Sequence, residues 1–94
     1  MYTLVFEPGA YRIFKKFAKD LQQEFVARAD ELRINPLAGE PLQGRHHMYR
    51  SLHFNYQGVA YRIIYQVFPT QKQVAIQLAD KRENIYKRLQ EMKL

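Results

Sequence analysis

The sequence contains no cysteine. It therefore forms no disulfide bond and offers neither a thiol nucleophile nor a thiolate ligand for zinc. Its apolar runs are too short to span a bilayer, and its first residues do not resemble a signal peptide. From these absences we expect a protein of the reducing cytoplasm that has no association with a membrane.

Acidic residues are absent from a long central segment. Between Pro41 and Ala79 the chain has no Asp and no Glu, although the whole chain has nine acidic residues. A buried sheet explains the missing acids but not the basic side chains that remain, which are Arg45, Arg50, Arg62, Lys72, His46, His47 and His53. With a net charge of +6 and a pI near 9.7, the segment indicates a polyanionic partner, either a nucleic acid or an acidic protein.

The hydrophobic pattern predicts one α+β domain that spans residues 1–94. The length of 94 residues and the hydrophobic fraction of 47% suffice for a single small core. Tyr2 to Phe6 alternates as a strand does. Two helices follow, since Pro8 suits a first helical turn, Asp20 is expected to cap the second helix and Asn35-Pro36 ends it. Their apolar positions recur at helical spacing: Ala10, Phe14, Phe17, Leu21, Phe25, Ala29 and Leu32.

Three strands and a final helix complete the pattern. The strands are predicted at 49–56, 59–68 and 72–79, with short turns between them. Asp80 with Glu83 fits a capping box for the last helix. The apolar stripe of that helix is Ile85, Leu89 and Met92. The predicted order is β-α-α-β-β-β-α, an antiparallel β-meander with the helical hairpin on one face and a C-terminal helix.

The alternation of the first two meander strands predicts a histidine beside an arginine. If Gln57-Gly58 forms a two-residue turn, His53 lies opposite Arg62 with the Cβ atoms about 5 Å apart. The apolar neighbours then face the helices, and the pair occupies the other face, which we expect to be uncovered and free of acids. In the last helix Arg82 and Tyr86 are four residues apart and therefore share one side.

Two segments carry a family motif in combination. Gly58 to Val67 contains a Tyr-Arg strand, and Asp80 to Tyr86 begins with Asp-Lys-Arg-Glu. Together with the element order, the length and the Leu42-Gln43-Gly44 loop, they resemble the RelE/ParE superfamily of toxin–antitoxin toxins, most closely the RelE-type mRNA interferases. The resemblance implies a metal-independent endoribonuclease without a cofactor, which cleaves mRNA in the ribosomal A site by attack of a 2′-hydroxyl on the adjacent phosphate. It also implies a small, acidic cognate antitoxin.

The same resemblance implies roles for three residues. Arg62 corresponds to the strand arginine that stabilises phosphate charge, and Arg82 to the arginine placed at the transition state. Tyr86 corresponds to the C-terminal tyrosine, at a shorter spacing from the arginine than in the best-known members. The ordinary alternatives are a solvated strand arginine, an arginine bonded to an acid in the first turn of the helix, and a core tyrosine.

The strand lysines of that family have no lysine counterpart in this chain. An ungapped match offers Arg50 and Leu52 in their place, whereas the strand alternation offers Ser51 and His53. We prefer the alternation, because a catalytic side chain has to lie on the open face. Imidazole titrates near neutral pH and accepts a proton, which guanidinium does not. His53 is therefore the candidate general base, and an exposed strand histidine is the simpler alternative.

The remaining basic residues are candidate contacts to RNA. Arg45, Arg50, Ser51 and Lys81 are the predicted phosphate-binding residues, with Arg50 a minor one because the register covers it in part. We expect no metal site at His46-His47, because no carboxylate or thiol is near in the sequence.

Two other functions stay open at this point. A ParE-type toxin on the same fold inhibits DNA gyrase without catalysis, and a degenerate member binds only its antitoxin or RNA.

Overall fold

A five-stranded sheet lies between two helices on one face and a third helix on the other in the computed structural model, which describes residues 1–92. The strands are β1 (Thr3–Phe6), β2 (Glu40–Pro41), β3 (Arg50–Tyr56), β4 (Val59–Phe68) and β5 (Gln73–Lys81). The helices are α1 (Pro8–Phe14), α2 (Lys19–Ile34) and α3 (Arg82–Glu91), and Gly44–His46 forms a short 3-10 turn. The predicted α+β order is confirmed, with β2 as an addition. No helix within residues 1–92 has the length and hydrophobicity needed to traverse a bilayer.

The strands are arranged in the order β1-β5-β4-β3-β2. The successive pairs β2–β3, β3–β4 and β4–β5 are antiparallel, which confirms the predicted meander. The N-terminal strand β1 lies parallel to β5, with Thr3 beside Gln73 and Phe6 beside Ile76. Its place was not predicted, because a parallel neighbour is reached through a long crossover and a four-residue strand gives no sign of its partner.

Helices α1 and α2 pack on the sheet face that the alternation predicts. Phe54, Tyr61 and Ile63 are buried there against the apolar stripe of α2. The Phe25 ring meets the rings of Phe54 and Tyr61 edge-on, with centroids 5.0 and 5.5 Å apart. Such aromatic pairs contribute about 0.5–1.5 kcal/mol beyond simple burial. The burial confirms which face of β3 and β4 points at the helical hairpin.

Helix α3 covers much of the opposite face, which corrects the expectation that this face is open. The buried cluster beneath it consists of Tyr49, Ile64, Leu78 and Ile85. Leu89 and Met92, the rest of the predicted stripe, pack against that cluster. The reason is that Ile64 and Leu78 make this part of the face apolar, and covering apolar surface is favourable. The end near the β3–β4 turn, with exposed His53, stays open.

An extra residue in β5 changes which of its side chains face α3. The β4–β5 register shifts in mid-strand and leaves Gln77 as the bulged residue. Ile76 therefore belongs to the core beneath the helical hairpin, whereas Leu78, two residues later, belongs to the cluster beneath α3. Asp80, the strand partner of Arg62, is brought to the α3 side by the same shift.

Neither predicted acidic helix cap forms. The N-cap of α2 is Ala18, and Asp20 instead accepts a hydrogen bond from the Tyr56 hydroxyl at 2.8 Å. The N-cap of α3 is Lys81, because β5 extends to that residue and holds Asp80 within the strand. Asp20 makes a tertiary contact in place of the cap, and Asp80 binds the Lys81 amide and two side chains of α3 in place of the predicted capping box.

Candidate functional site

The turn between β3 and β4 sets the register of the candidate site. Gln57 and Gly58 have φ angles of 50° and 77°, the left-handed conformations that a two-residue hairpin turn of this kind requires. The turn pairs His53 with Arg62, as predicted. Because cross-strand partners point to the same face, the two side chains lie next to each other. His53 is exposed and Arg62 is half-buried.

Helix α3 delivers an arginine and a tyrosine to the same place. Arg82 is its first residue, and Tyr86 lies one turn further on. Arg82 Nε donates a hydrogen bond to the Tyr86 hydroxyl at 3.4 Å. The guanidinium carbons of Arg62 and Arg82 lie 5.3 and 5.9 Å from the centroid of the Tyr86 ring, within the range of a cation–π contact. Arg62 of the strand pair and Arg82 of the helix thus both lie against Tyr86.

A cavity of about 190 Å³ opens at the end of the sheet. Its lining consists of His53, Phe54, Asn55, Ala60, Tyr61, Arg62 and Arg82. A neighbouring cavity of about 290 Å³ at the β3–β4 turn shares Arg82. A wider groove of about 920 Å³ between α1 and α3 contains none of the predicted site residues and lies away from this chemistry. Asn55 was not predicted, although it follows His53 by two positions on an alternating strand.

In the described part of the chain, no ion pair neutralises the arginines of the site. Within residues 1–92 the ion pairs join Arg28 with Glu24 and Glu31, Arg33 with Asp30, and Arg88 with Asp80. The hydrogen bond from Arg82, and then the charge of Arg62, lower the pKa of Tyr86 from its ordinary value of 10.0. The site is therefore a positive centre that favours a phosphate group or another anion.

An acid does lie beside Arg62, which corrects the expectation of an acid-free neighbourhood. Asp80 pairs with Arg62 across β4 and β5 and is only 3% exposed. Its carboxylate accepts hydrogen bonds from Arg88 Nε at 2.8 Å, Asn84 Nδ2 at 3.2 Å and the Lys81 amide at 2.7 Å. Among the described residues, the buried Nε of Arg62 has no hydrogen-bond partner. The acid is thus bound by Lys81 and by side chains of α3, and not by Arg62.

Comparison with known proteins identifies the fold and the family. A sequence model of the ParE-like toxins of type II bacterial toxin–antitoxin systems matches residues 4–90. The chain belongs to this family. No curated protein sequence matches the toxin.

Solved toxin structures share the architecture of this toxin. The toxin–antitoxin complex RelBE2 of Mycobacterium tuberculosis matches with a TM-score of 0.73 and 28% identity, over 86% of this chain and 98% of that one. The isolated Escherichia coli RelE toxin matches with a TM-score of 0.71 and 20% identity, over 97% of both chains. The intact Escherichia coli RelBE complex matches with a TM-score of 0.66 and 21% identity, over 86% of this chain and 96% of that one. At these identities the two Escherichia coli matches bear on the fold alone.

Two predicted RNA contacts of the toxin lie away from its open site. Arg50 is on the face of the helical hairpin, where its guanidinium donates to the carbonyl oxygens of Gly39 at 3.0 Å and Leu37 at 3.3 Å. These hydrogen bonds hold the loop before β2 against the sheet. Ser51 points to the α3 side but is only 3% exposed, since its strand partner Ile64 belongs to the cluster that α3 covers. The structure therefore corrects the prediction that these two side chains face phosphate.

The other two predicted contacts are exposed at the edge of α3. Arg45 lies in the 3-10 turn and donates a hydrogen bond to the Gln90 carbonyl oxygen of α3 at 3.3 Å. Lys81 is exposed and lines the cavity at the β3–β4 turn together with Arg82. Both extend the positive surface, and their contact with RNA stays a prediction. Across residues 1–92 no three His, Asp or Glu side chains gather closely enough to hold a metal ion.

Proposed function

We propose that the toxin is a ribosome-dependent endoribonuclease that cleaves mRNA in the ribosomal A site. The observation that carries the proposal is the convergence of two guanidinium groups, from Arg62 and Arg82, on Tyr86, with no ion pair to either from residues 1–92. A guanidinium group binds two phosphate oxygens at once. Two such groups stabilise the additional negative charge of a pentacoordinate phosphorus. The RelE-type motifs of the two segments that supply these arginines support the same assignment.

The proposed reaction forms one bond at phosphorus and breaks another. The 2′-oxygen attacks the adjacent phosphorus and the bond to the 5′-oxygen breaks, which leaves a 2′,3′-cyclic phosphate and a 5′-hydroxyl. His53 accepts the proton of the 2′-hydroxyl, because imidazole is the side chain in the cavity suited to do so near neutral pH. The Tyr86 hydroxyl, whose pKa the two arginines lower, donates the proton that the departing 5′-oxygen takes up.

The proposed partner that inhibits the toxin is an antitoxin. Two of the similar structures, RelBE2 of Mycobacterium tuberculosis and RelBE of Escherichia coli, are complexes of a toxin with an antitoxin. The net charge of +6 favours an acidic partner for this toxin. Carboxylates that reach Arg62 and Arg82 remove the positive charge on which the proposed reaction depends.

The test of the proposal is mRNA cleavage in a translation extract. The wild type is expected to cut ribosome-bound message. Arg62→Ala is expected to lower the cleavage rate by a factor on the order of 10²–10³, the usual effect of losing one charge-stabilising donor. Arg12→Ala removes an exposed arginine of α1 outside the site, so it is the matched control and should cleave at the wild-type rate. Cleavage by Arg62→Ala at the rate of the control would exclude this site.

A second candidate function is inhibition of DNA gyrase. It is favoured by the family that matches the chain, which is described as ParE-like. It is also favoured by the absence of the strand lysines that RelE-type toxins have. Such an inhibitor needs no catalysis by His53 or Arg62. A DNA supercoiling assay run beside the translation assay separates the two functions, because inhibition of gyrase without RNA cleavage supports this second candidate and the reverse result supports the endoribonuclease.

A further inference from the structure

Arg62 has a neighbour of opposite charge that it does not bind. On β4 it stands between His53 of β3 and Asp80 of β5, each directly opposite in the ladder. Side chains in such pairs have Cβ atoms about 5 Å apart and point to one face. A carboxylate as buried as Asp80, at 3% exposure, is stable only with a charged or hydrogen-bonding partner. Arg62 is therefore a natural partner for it.

Helix α3 supplies that partner instead. Arg88 Nε donates to Asp80 Oδ2 at 2.8 Å, and the same bond is an ion pair. The other carboxylate oxygen, Oδ1, accepts from the Lys81 amide at 2.7 Å and from Asn84 Nδ2 at 3.2 Å. Both oxygens of Asp80 are thus engaged by residues 81–88. Among the described residues the Nε of Arg62 is buried without a partner, and its guanidinium lies against Tyr86.

We propose that Arg88 is a positioning residue that keeps Arg62 available for phosphate by holding Asp80. The inference rests on the proposed phosphate site, and it adds a residue that lies outside that site. When Arg88 is removed, Asp80 becomes a buried carboxylate without its cation. The guanidinium directly across the ladder then pairs with it, and this cancels the positive charge at the place where phosphate binds. Arg88 acts through Asp80 and makes no contact with the substrate.

A simpler account gives the ion pair a purely structural role. In that account, Arg88 and Asp80 only fasten α3 to β5, and loss of either residue loosens the helix that carries Arg82 and Tyr86. The two accounts differ in what the loss of Asp80 does. The structural account predicts that Asp80→Asn weakens phosphate binding as Arg88→Ala does. It also predicts that the double variant binds phosphate no more tightly than either single variant. The proposal predicts that adding Asp80→Asn to the Arg88→Ala variant restores its phosphate binding.

The experiment measures the affinity of the full chain for a labelled RNA oligonucleotide whose 2′-hydroxyls are methylated, so that it cannot be cleaved. Arg88→Ala is expected to bind roughly tenfold more weakly than wild type, the effect of losing about one good phosphate contact. Asp80→Asn is expected to bind at least as tightly as wild type. The double variant Asp80→Asn/Arg88→Ala is expected to return to within about twofold of Asp80→Asn. Lys87→Ala, which removes an exposed charge next to Arg88, is the matched control and should stay near wild type.

The outcomes separate this inference from the proposed function. If wild type and Arg62→Ala bind the oligonucleotide equally, the proposed phosphate site fails. If Arg62→Ala loses affinity while Arg88→Ala binds like Lys87→Ala, the phosphate site stands and the inference is overturned. A double variant that binds as weakly as Arg88→Ala also overturns it and favours simple fastening. If Arg88→Ala does not fold, as judged by circular dichroism, the comparison of Asp80→Asn with wild type decides, because weaker binding by Asp80→Asn contradicts the proposal.

Discussion

At the scale of single residues, the pKa of Tyr86 responds directly to the positive charge of the site. Two guanidinium groups lie against its ring, and Arg82 also donates to its hydroxyl. A neighbouring positive charge and a donated hydrogen bond both favour the phenolate over the phenol, so the pKa of Tyr86 falls below its ordinary value of 10.0. The hydroxyl is correspondingly a better proton donor than that of an ordinary tyrosine.

Titration of Tyr86 checks this arrangement. The difference in tyrosinate absorbance between wild type and Tyr86→Phe is expected to rise with its midpoint below pH 10, the ordinary value. In an Arg82→Gln background the hydrogen bond and one charge are lost, so the midpoint should move up towards that value. A midpoint at or above the ordinary value in the wild-type background contradicts the contacts that we describe. For cleavage, loss of activity with rising pH should begin lower in wild type than in Arg82→Gln.

Gly39 is a residue whose lack of a side chain is required by its surroundings. A Cβ at this position meets the Ser51 carbonyl oxygen at 2.7 Å and the Tyr65 hydroxyl at 2.8 Å. The Gly39 amide also donates to that hydroxyl at 2.9 Å, and the hydroxyl donates to the Pro36 carbonyl oxygen at 2.8 Å. The close approach therefore joins the loop before β2 to the buried ring of Tyr65.

Substitution of Gly39 is expected to destabilise the toxin. Gly39→Ala should lower the free energy of unfolding in urea by about 1–3 kcal/mol, because overpacking forces the loop away from β3. Gly9→Ala is the matched control, since nothing lies within 4 Å of a Cβ there and the residue is in α1. It should leave stability unchanged or raise it by up to about 1 kcal/mol. Equal stabilities of the two variants would contradict the packing at Gly39.

At the scale of elements, the alternation of β3 and β4 was sufficient to predict the core of the site. It fixed His53 opposite Arg62, because a slip of one residue exposes a whole row of apolar side chains. It did not predict that Ser51 is covered, because that depends on where α3 crosses the sheet. Nor did it predict the loop contacts of Arg50, because they depend on the path of Leu37 to Gly39. Spacing along one element does not contain such tertiary information.

The capping motifs failed for a related reason. A carboxylate before a helix is a good predictor of a cap only when no better partner is available in three dimensions. Asp20 has the Tyr56 hydroxyl at 2.8 Å, and Asp80 has Arg88 at 2.8 Å. In both cases the sequence placed the acid near the start of the right helix but assigned the wrong bond.

Gln77 is the extra residue of the bulge, and its deletion tests the register of β5. Without it, Ile64 still pairs with Leu78 and Arg62 with Asp80 in a regular ladder, so Asp80 stays on the α3 side and keeps Arg88. The deletion is therefore expected to avoid the loss of about 3–5 kcal/mol that follows when a buried carboxylate loses its partner. Gln77→Ala keeps the residue count and therefore the bulge, so it should unfold near the wild-type temperature. A deletion variant whose free energy of unfolding in urea falls below that of Gln77→Ala by the full cost of an unpaired carboxylate would contradict this register.

At the scale of the whole molecule, the net charge determines how strongly salt is expected to weaken the proposed binding of RNA. The net charge is +6, and the acid-free stretch from Pro41 to Ala79 contributes two of the strands that shape the site. Binding of the methylated oligonucleotide should therefore weaken steeply as salt is added, through release of counterions. Arg62→Ala should reduce the slope of log K against log salt by about 0.7, the value for one phosphate contact to a single strand. Arg12→Ala should keep the wild-type slope, and an unchanged slope for both would argue against a phosphate contact at Arg62.

The order of the strands has a consequence for the time at which the toxin becomes complete. Strand β1, near the N-terminus, pairs with β5. It can therefore join the sheet only after most of the chain has been synthesised. The proposed phosphate site is later still, because Arg62 meets Arg82 and Tyr86 only when α3 has folded onto the sheet. During translation the helical hairpin can form first, and domains acquire tertiary contacts as their segments emerge. A nascent chain that still lacks α3 therefore has most of the fold of the toxin without the proposed phosphate site.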